Sequence, residues 1–216
     1  MNVLIYGQKS FGLETMKALN SDGHKIVGAV VSPQASKKDK MVGFAQMNGI
    51  PIFGDCDKVR SDDIPDGVDL VVSAHSHWII SDAVLSRAKY GGIGYHPSLL
   101  PSLLPRHRGQ DAVRWTIHMK DPICGGTVYR LTDKCDGGDT LLQRWQFVDP
   151  SWDFHALWRV LFPHGVEMLR IAVSLIAAGK DVPLWRRQDE RFATWEPSWE
   201  RPRLKRNDLM QIEWKD

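Results

Sequence analysis

The run KIVGAVVS at residues 25–32 is unbroken by any polar residue from Ile26 to Val31 and rich in β-branched side chains. A strand with one wet face alternates apolar and polar residues, so an unbroken run is what a parallel strand needs when helices cover both its faces. Upstream, VLIYG (3–7) is a second apolar run ending in glycine, and FGLETMKALNSDG (11–23) sets Leu13, Met16 and Leu19 near helical spacing before stopping at Gly23. Two such strands around one helix predict a βαβ unit and a parallel sheet. The alternation continues with a helix over MVGFAQMNG (41–49), the short strand IPIF (50–53), the strand VDLVVSAH (68–75), a helix over 81–89 and the strand GGIGYH (91–96). The expected class is α/β and Rossmann-like, a mostly parallel central sheet flanked by helices. The first turn, GQKSFG (7–12), lacks the G-x-G-x-x-G spacing, and no acidic residue ends the second strand. A tight turn into a packed helix is therefore expected there, and no NAD.

Beyond residue 109, QDAVRWTIHMKD fits a helix, and GGTVYRLTD and TLLQRWQFVD read as strands around the turn KCDGGD (134–139). Residues 151–180 carry strong helical periodicity, with Pro163 and Gly165 as a candidate kink, and should cover one face of the sheet. From Val182 the texture changes to tryptophans among Arg and Glu, broken by Pro183, Pro197 and Pro202. We expect a catalytic domain over 1–180 and a C-terminal extension over 181–216, packed on that domain or at a homodimer contact. Aromatic residues interleaved with basic ones can bind nucleic acid, but 181–216 holds eight Lys/Arg against eight Asp/Glu and is neutral.

A net charge of +2 points to no polyanionic partner, so nucleic acid is not expected. The N-terminus has no basic leader and no segment reads as the roughly 18 apolar residues of a membrane span, so a cytoplasmic protein with no membrane partner is expected. Cys56, Cys124 and Cys135 are odd in number and lack CxxC spacing, which fits reduced thiols rather than disulfides or zinc.

His96 stands just past a predicted strand, and Asp136 lies in the glycine-rich turn after another. If the sheet is parallel that far, both point at one crevice at the carboxyl ends of the strands, where a His and an Asp suit acid–base work. On spacing alone, a surface histidine and a capping carboxylate remain the competing reading. The motifs go further. HPSLLP (96–101) with RHRG (106–109), followed by GGTVYRLTDKCDGGDTLLQ (125–143), resembles the formyltransferase family that uses 10-formyltetrahydrofolate. IYGQKSFG at the start and LFPHGVEMLRIAVSLIAAGK (161–180) are particularly similar to the hydrolase domain of formyltetrahydrofolate dehydrogenase. The resemblance covers roughly residues 1–180.

It implies 10-formyltetrahydrofolate as co-substrate, with no metal. In the family an Asn-x-His pair and an Asp surround the formyl group: the His and Asn stabilise the oxyanion, and the Asp orients the His and helps remove a proton through water. His96 and Asp136 match by motif, whereas Gly94 stands where the family has Asn. Losing one oxyanion donor typically costs about 10²–10³ in rate. His75, Ser76, His77 and Trp78, within VVSAHSHWII, match the family's loop beside the pterin. His75 and His77 have no third metal ligand in sight. Leu99, Leu100, Leu103, Leu104, Arg106, Cys135 and Gly137 complete the expected folate-binding set. The implied reaction is transfer of the formyl group to an amine of a small molecule, an amino sugar or amino acid derivative. Hydrolysis to formate, with water as acceptor, is one alternative, and a folate-binding protein that has lost activity is the other. A purine-pathway role is not expected, because GQKSFG replaces a phosphate loop, and neither is a tRNA substrate.

The segment PSLLPSLLP (97–105) carries four residues more than the family pattern. Prolines 97, 101 and 105 disfavour helix before them, so the surplus is expected to bulge as loop. Of its two leucine pairs, one should pack and the other line or narrow the ligand entrance.

Overall fold

The computed structural model describes residues 1–31, 39–54, 59–100, 107–109, 111–180, 187–188 and 194. Along the chain run β1 (Asn2–Gly7), α1 (Lys9–Ser21), β2 (Lys25–Val31), α2 (Lys40–Met47), β3 (Ile52–Phe53), β4 (Leu70–Ala74) and α3 (Asp82–Leu85). They are followed by β5 (Gly92–His96), α4 (Ala112–His118), β6 (Ile123–Arg130), β7 (Thr140–Phe147) and α5 (Phe154–Ala177). The strands form one seven-stranded sheet in the order β3-β2-β1-β4-β5-β6-β7.

The opening βαβ unit is present, with β1 and β2 parallel. Val3, Leu4, Ile5 and Tyr6 of β1 are all at most 1% exposed. They divide by strand alternation: Val3 and Ile5 join the core under α1 and α5, Leu4 and Tyr6 the cluster on the opposite face. A strand covered on both sides has no position to give to water, which is why the run is unbroken.

The sheet is parallel only as far as β5. β6 pairs antiparallel with β5, and β7 antiparallel with β6, so the carboxyl end of β6 lies at the opposite edge of the sheet from that of β5. This corrects the premise by which strand direction alone would bring Asp136 to His96. The helix expected over 81–89 is also shorter, four residues of α3. The chain then tightens into three-residue turns, Arg87 N–H to Val84 O, Ala88 to Leu85 and Gly91 to Ala88.

α5 runs 24 residues through Pro163, so the helix does not break there. Asp153 caps its start, accepting from the Ala156 N–H at 2.7 Å. Its buried stripe of Leu157, Leu161, Met168, Leu169, Val173 and Ile176 lies on the sheet, each such side chain contributing about 1.5–3 kcal/mol of burial. By length and mean hydropathy, 1.5 over its most apolar window, α5 alone among the described helices could cross a bilayer, contrary to the sequence expectation. That stripe is taken up by the domain core.

Candidate active site

β5 fixes the site through alternation. Ile93 and Tyr95 face the main core, where Tyr95 stacks on Phe11 at 5.3 Å and its hydroxyl donates to the Leu161 carbonyl of α5 at 3.3 Å. Gly92, Gly94 and His96 therefore share the other face. Two of those three positions have no side chain, and the connection after β6 folds back over them. The Leu131 N–H donates to the Gly92 carbonyl at 2.9 Å. The Leu131 side chain lies 2.8 Å and 2.9 Å from where a Cβ would stand at Gly92 and Gly94. A real side chain at either position would have to displace the end of the Leu131 side chain. The fold-back carries Asp136, in the left-handed conformation with φ 49°, back to the end of β5. Its Oδ2 lies 3.5 Å from Nδ1 of His96, and the two residues are 9% and 6% exposed.

The other ring nitrogen of His96 is also held. Nε2 is 2.7 Å from the His107 carbonyl, which can only accept, so Nε2 carries a proton and Nδ1 faces the carboxylate. The same carbonyl accepts from Ser98 Oγ at 2.9 Å. His107, at φ 23°, is buried and anchored by its own ring to Asp121 at 2.9 Å, just before β6.

Two residues that follow α5 in the chain clamp this arrangement. Gln188 accepts from Arg108 at 2.7 Å and donates to the carbonyls of Asp136 and Gly138, both at 2.7 Å. Thr194 accepts from the His107 N–H through its hydroxyl at 2.9 Å and from the Arg108 N–H through its carbonyl at 3.0 Å. The segment bearing the His96 acceptor and the turn bearing Asp136 are thus tied to each other as well as to the sheet.

Burial alone would raise the Asp136 carboxyl. The charge of His96, the Gly109 N–H at 2.7 Å, the Tyr129 hydroxyl at 2.8 Å and the Cys135 thiol at 3.5 Å outweigh it and hold the group below the ordinary carboxylate value. Tyr129 is pushed well above its ordinary value by burial and then by Asp136, so it stays a donor. Cys135 is pushed up to about 12 by burial and by Asp136, which makes it a thiol rather than a nucleophilic thiolate. The site therefore offers a fixed anion, an imidazole facing it and a phenol that keeps its proton. That set can polarise a carbonyl and relay a proton.

The expected pterin loop lies at the same sheet edge, since β4 and β5 are parallel neighbours that end at Ala74 and His96. His75 and Ser76 are partly buried and His77 and Trp78 exposed; with Gly7, Gln8 and Val30 the loop lines a crevice too tight to admit a water molecule. The His75 and His77 rings stand 5.1 Å apart, and among the described residues no group of three or more His, Cys, Asp or Glu is placed to hold a metal. Leu99 and Leu100 are buried at 5% and 0% exposure. Leu103, Leu104 and Arg106 lie outside the described residues. Cys135 and Gly137 flank Asp136, each partly buried. A wider hollow of about 550 Å³, lined by Leu85, Lys89, Gly92 and Arg130 among others, opens at the opposite end of β5 from His96.

Sequence reasoning missed Tyr129, Thr127, Ser98, the His107 carbonyl, Gln188 and Thr194. Tyr129 and Thr127 had a signal in strand alternation, but reading it requires knowing that β6 lies antiparallel, with Gly94 opposite Tyr129 and His96 opposite Thr127. Gln188 and Thr194 had none.

Residues 1–161 match the family model described as formyl transferase. The cytosolic 10-formyltetrahydrofolate dehydrogenase of Xenopus laevis is 35% identical over 218 residues, covering 96% of this chain and 24% of that protein. The Homo sapiens protein of the same name is 34% identical over 225 residues, covering 99% and 24%. The chain thus spans about a quarter of the length of these curated relatives. Among solved structures, a sugar 3N-formyl transferase in the presence of dTDP and 5-N-formyl-THF superposes with a TM-score of 0.68 at 15% identity, covering 91% of this chain and 69% of that one. Phosphoribosylglycinamide formyltransferase from Bacillus halodurans does so with a TM-score of 0.68 at 15% identity, covering 84% and 98%.

Proposed function

This chain belongs to the formyl transferase family, and from that premise we propose that it moves the formyl group of 10-formyltetrahydrofolate to an amine of a small molecule at the His96–Asp136 site. The observation that carries the proposal is the juxtaposition of His96 Nδ1 and Asp136 Oδ2 at 3.5 Å on a shielded sheet edge. The acceptor nitrogen attacks the formyl carbon, forming the new C–N bond and placing negative charge on the formyl oxygen. The Nε2–H of His96, now donated to the His107 carbonyl, turns to that oxygen, while Asp136 holds the imidazole and takes the amine's proton through water. The C–N10 bond then breaks as Asp136 returns that proton to N10 through the water, so tetrahydrofolate and a formamide are the products. The 75–78 loop, Leu99, Leu100, Cys135 and Gly137 are assigned to the folate side. Burial of the pair supports transfer over hydrolysis, because a site shut from bulk water protects the formyl group.

Water as the acceptor, giving formate, is a second reading. It is favoured by the identity with formyltetrahydrofolate dehydrogenases across nearly the whole chain. Formate release from 10-formyltetrahydrofolate, measured with and without added amines, separates the two. Amine-dependent formation of a formylated product is expected. Acceptor-independent formate would establish hydrolysis, and tight folate binding without either product would leave a binding protein.

A further inference from the structure

Position 94 lacks the family's amide side chain, and the space beside it is filled from the neighbouring strand. Gly94 pairs directly with Tyr129 of β6, so their side-chain directions share one face of the sheet. A Cβ at residue 94 would stand 3.3 Å from the Tyr129 hydroxyl oxygen and 3.3 Å from the ring carbon that bears it. The hydroxyl itself donates to Asp136 Oδ1 at 2.8 Å. Asp136 Oδ2 meanwhile accepts from the Gly109 N–H at 2.7 Å and faces His96 Nδ1 at 3.5 Å.

We propose that Tyr129 is a positioning residue for Asp136: by occupying the space that glycine leaves at 94, its hydroxyl fixes one carboxylate oxygen and so aims the other at His96. The missing amide at 94 is then the condition for a different polar group to enter the site.

Three observations carry this. The phenol is buried, 7% exposed, and its position is set by strand register rather than by a loop. Asp136 sits on a connection that has to fold back from the far end of β6, so without a bond to the sheet beneath it the carboxylate would be oriented by loop contacts alone. The phenol also keeps its proton, as burial and the neighbouring carboxylate both oppose its ionisation, so it can only stabilise the anion. The charged and titratable groups facing Asp136 are His96 from β5, Tyr129 from β6 and Cys135 beside it in the turn; Arg108, from the segment that also supplies the Gly109 N–H, acts on Cys135.

The kinetic arm of the test rests on the function proposed above, and the spectroscopic arm does not. Protein labelled with ¹³C at aspartate carboxyls, with the Asp136 resonance assigned by Asp136→Asn, is titrated as wild type and as Tyr129→Phe. Phe keeps the ring and removes only the donor, so the Asp136 midpoint is expected to move upward. With 10-formyltetrahydrofolate, Tyr129→Phe is expected to lower kcat/KM about tenfold or more and to move the acid limb of its pH profile upward. In the Asp136→Asn background the same change is expected to add little, whereas a purely structural tyrosine would cost as much in either background. An Asp136 midpoint unchanged within about 0.2 units in Tyr129→Phe overturns the proposal. A shifted midpoint in a protein that turns over no formyl donor supports the pairing and removes the functional reading instead.

Discussion

Thr127→Val tests whether the active-site loop is held by the hydrogen bonds of one hidden hydroxyl. Thr127 is 0% exposed and lies opposite His96 in the β5–β6 register. Its Oγ1 donates to the Ser98 carbonyl at 2.7 Å and accepts from the Leu100 N–H at 3.0 Å and Gln143 Nε2 at 2.9 Å. Valine has nearly the same shape, so no cavity opens and the cost is that of hydrogen bonding. Gln143 still donates to the Leu100 carbonyl at 2.9 Å, which limits its loss. The Leu100 N–H has no water to turn to, because Leu100 is fully buried. An orphaned buried donor costs about 1–3 kcal/mol and the lost bond to Ser98 about 1 more, giving about 2–4 kcal/mol. For a chain of this length that corresponds to a fall of roughly 5–15 °C in Tm. The effect should reach turnover, because Ser98 Oγ and His96 Nε2 donate to the same His107 carbonyl. Thr127→Ser, which keeps the hydroxyl, should recover most of both losses. The measurements are thermal unfolding and kcat/KM on the three proteins. A Tm within about 2 °C of wild type for Thr127→Val would refute the reasoning, since it would mean that the loop is held by its leucines alone.

His75 is expected to make the fold sensitive to acid. Burial first, then the charges of His77 and Lys9, lower its value to about 4, with Asp39 opposing them. The unfolded chain, near 6.5, binds the proton more readily, so the contribution of this residue to stability is complete above about pH 6.5 and is lost as pH falls toward 4. His75→Asn should flatten urea-unfolding stability across that window, and a pH slope equal to that of wild type would contradict it. Gln188→Ala removes the bridge between Arg108 and the Asp136 turn and should lower kcat/KM about tenfold, with a stability loss of about 1–2 kcal/mol. Steady-state kinetics that match wild type would show that the turn keeps its place without the clamp.

The layered fold was readable because parallel strands buried on both faces cannot contain polar positions, and β1 and β2 contain almost none. The change of direction at β6 was not readable, since a strand's composition records its burial more than the heading of its neighbour. That one reversal removed the argument first used to unite His96 with Asp136. What joins them is the fold-back across Gly92 and Gly94, and a glycine in a strand does not announce which segment will use its space. The 97–104 repeat was legible as a duplication, and its first copy is buried at Leu99 and Leu100.

The sequence alone determined the α/β class and the order of the elements, and it singled out His96 and Asp136 as the candidates for the chemistry. Each of these follows from local periodicity or from a motif contiguous along the chain. Only the tertiary structure decided which groups surround the pair: Tyr129 through antiparallel register, the His107 carbonyl through a left-handed turn, and Gln188 and Thr194 from beyond α5. Such contacts join residues far apart in the chain, and they exist only once packing against the sheet has fixed where each segment lies.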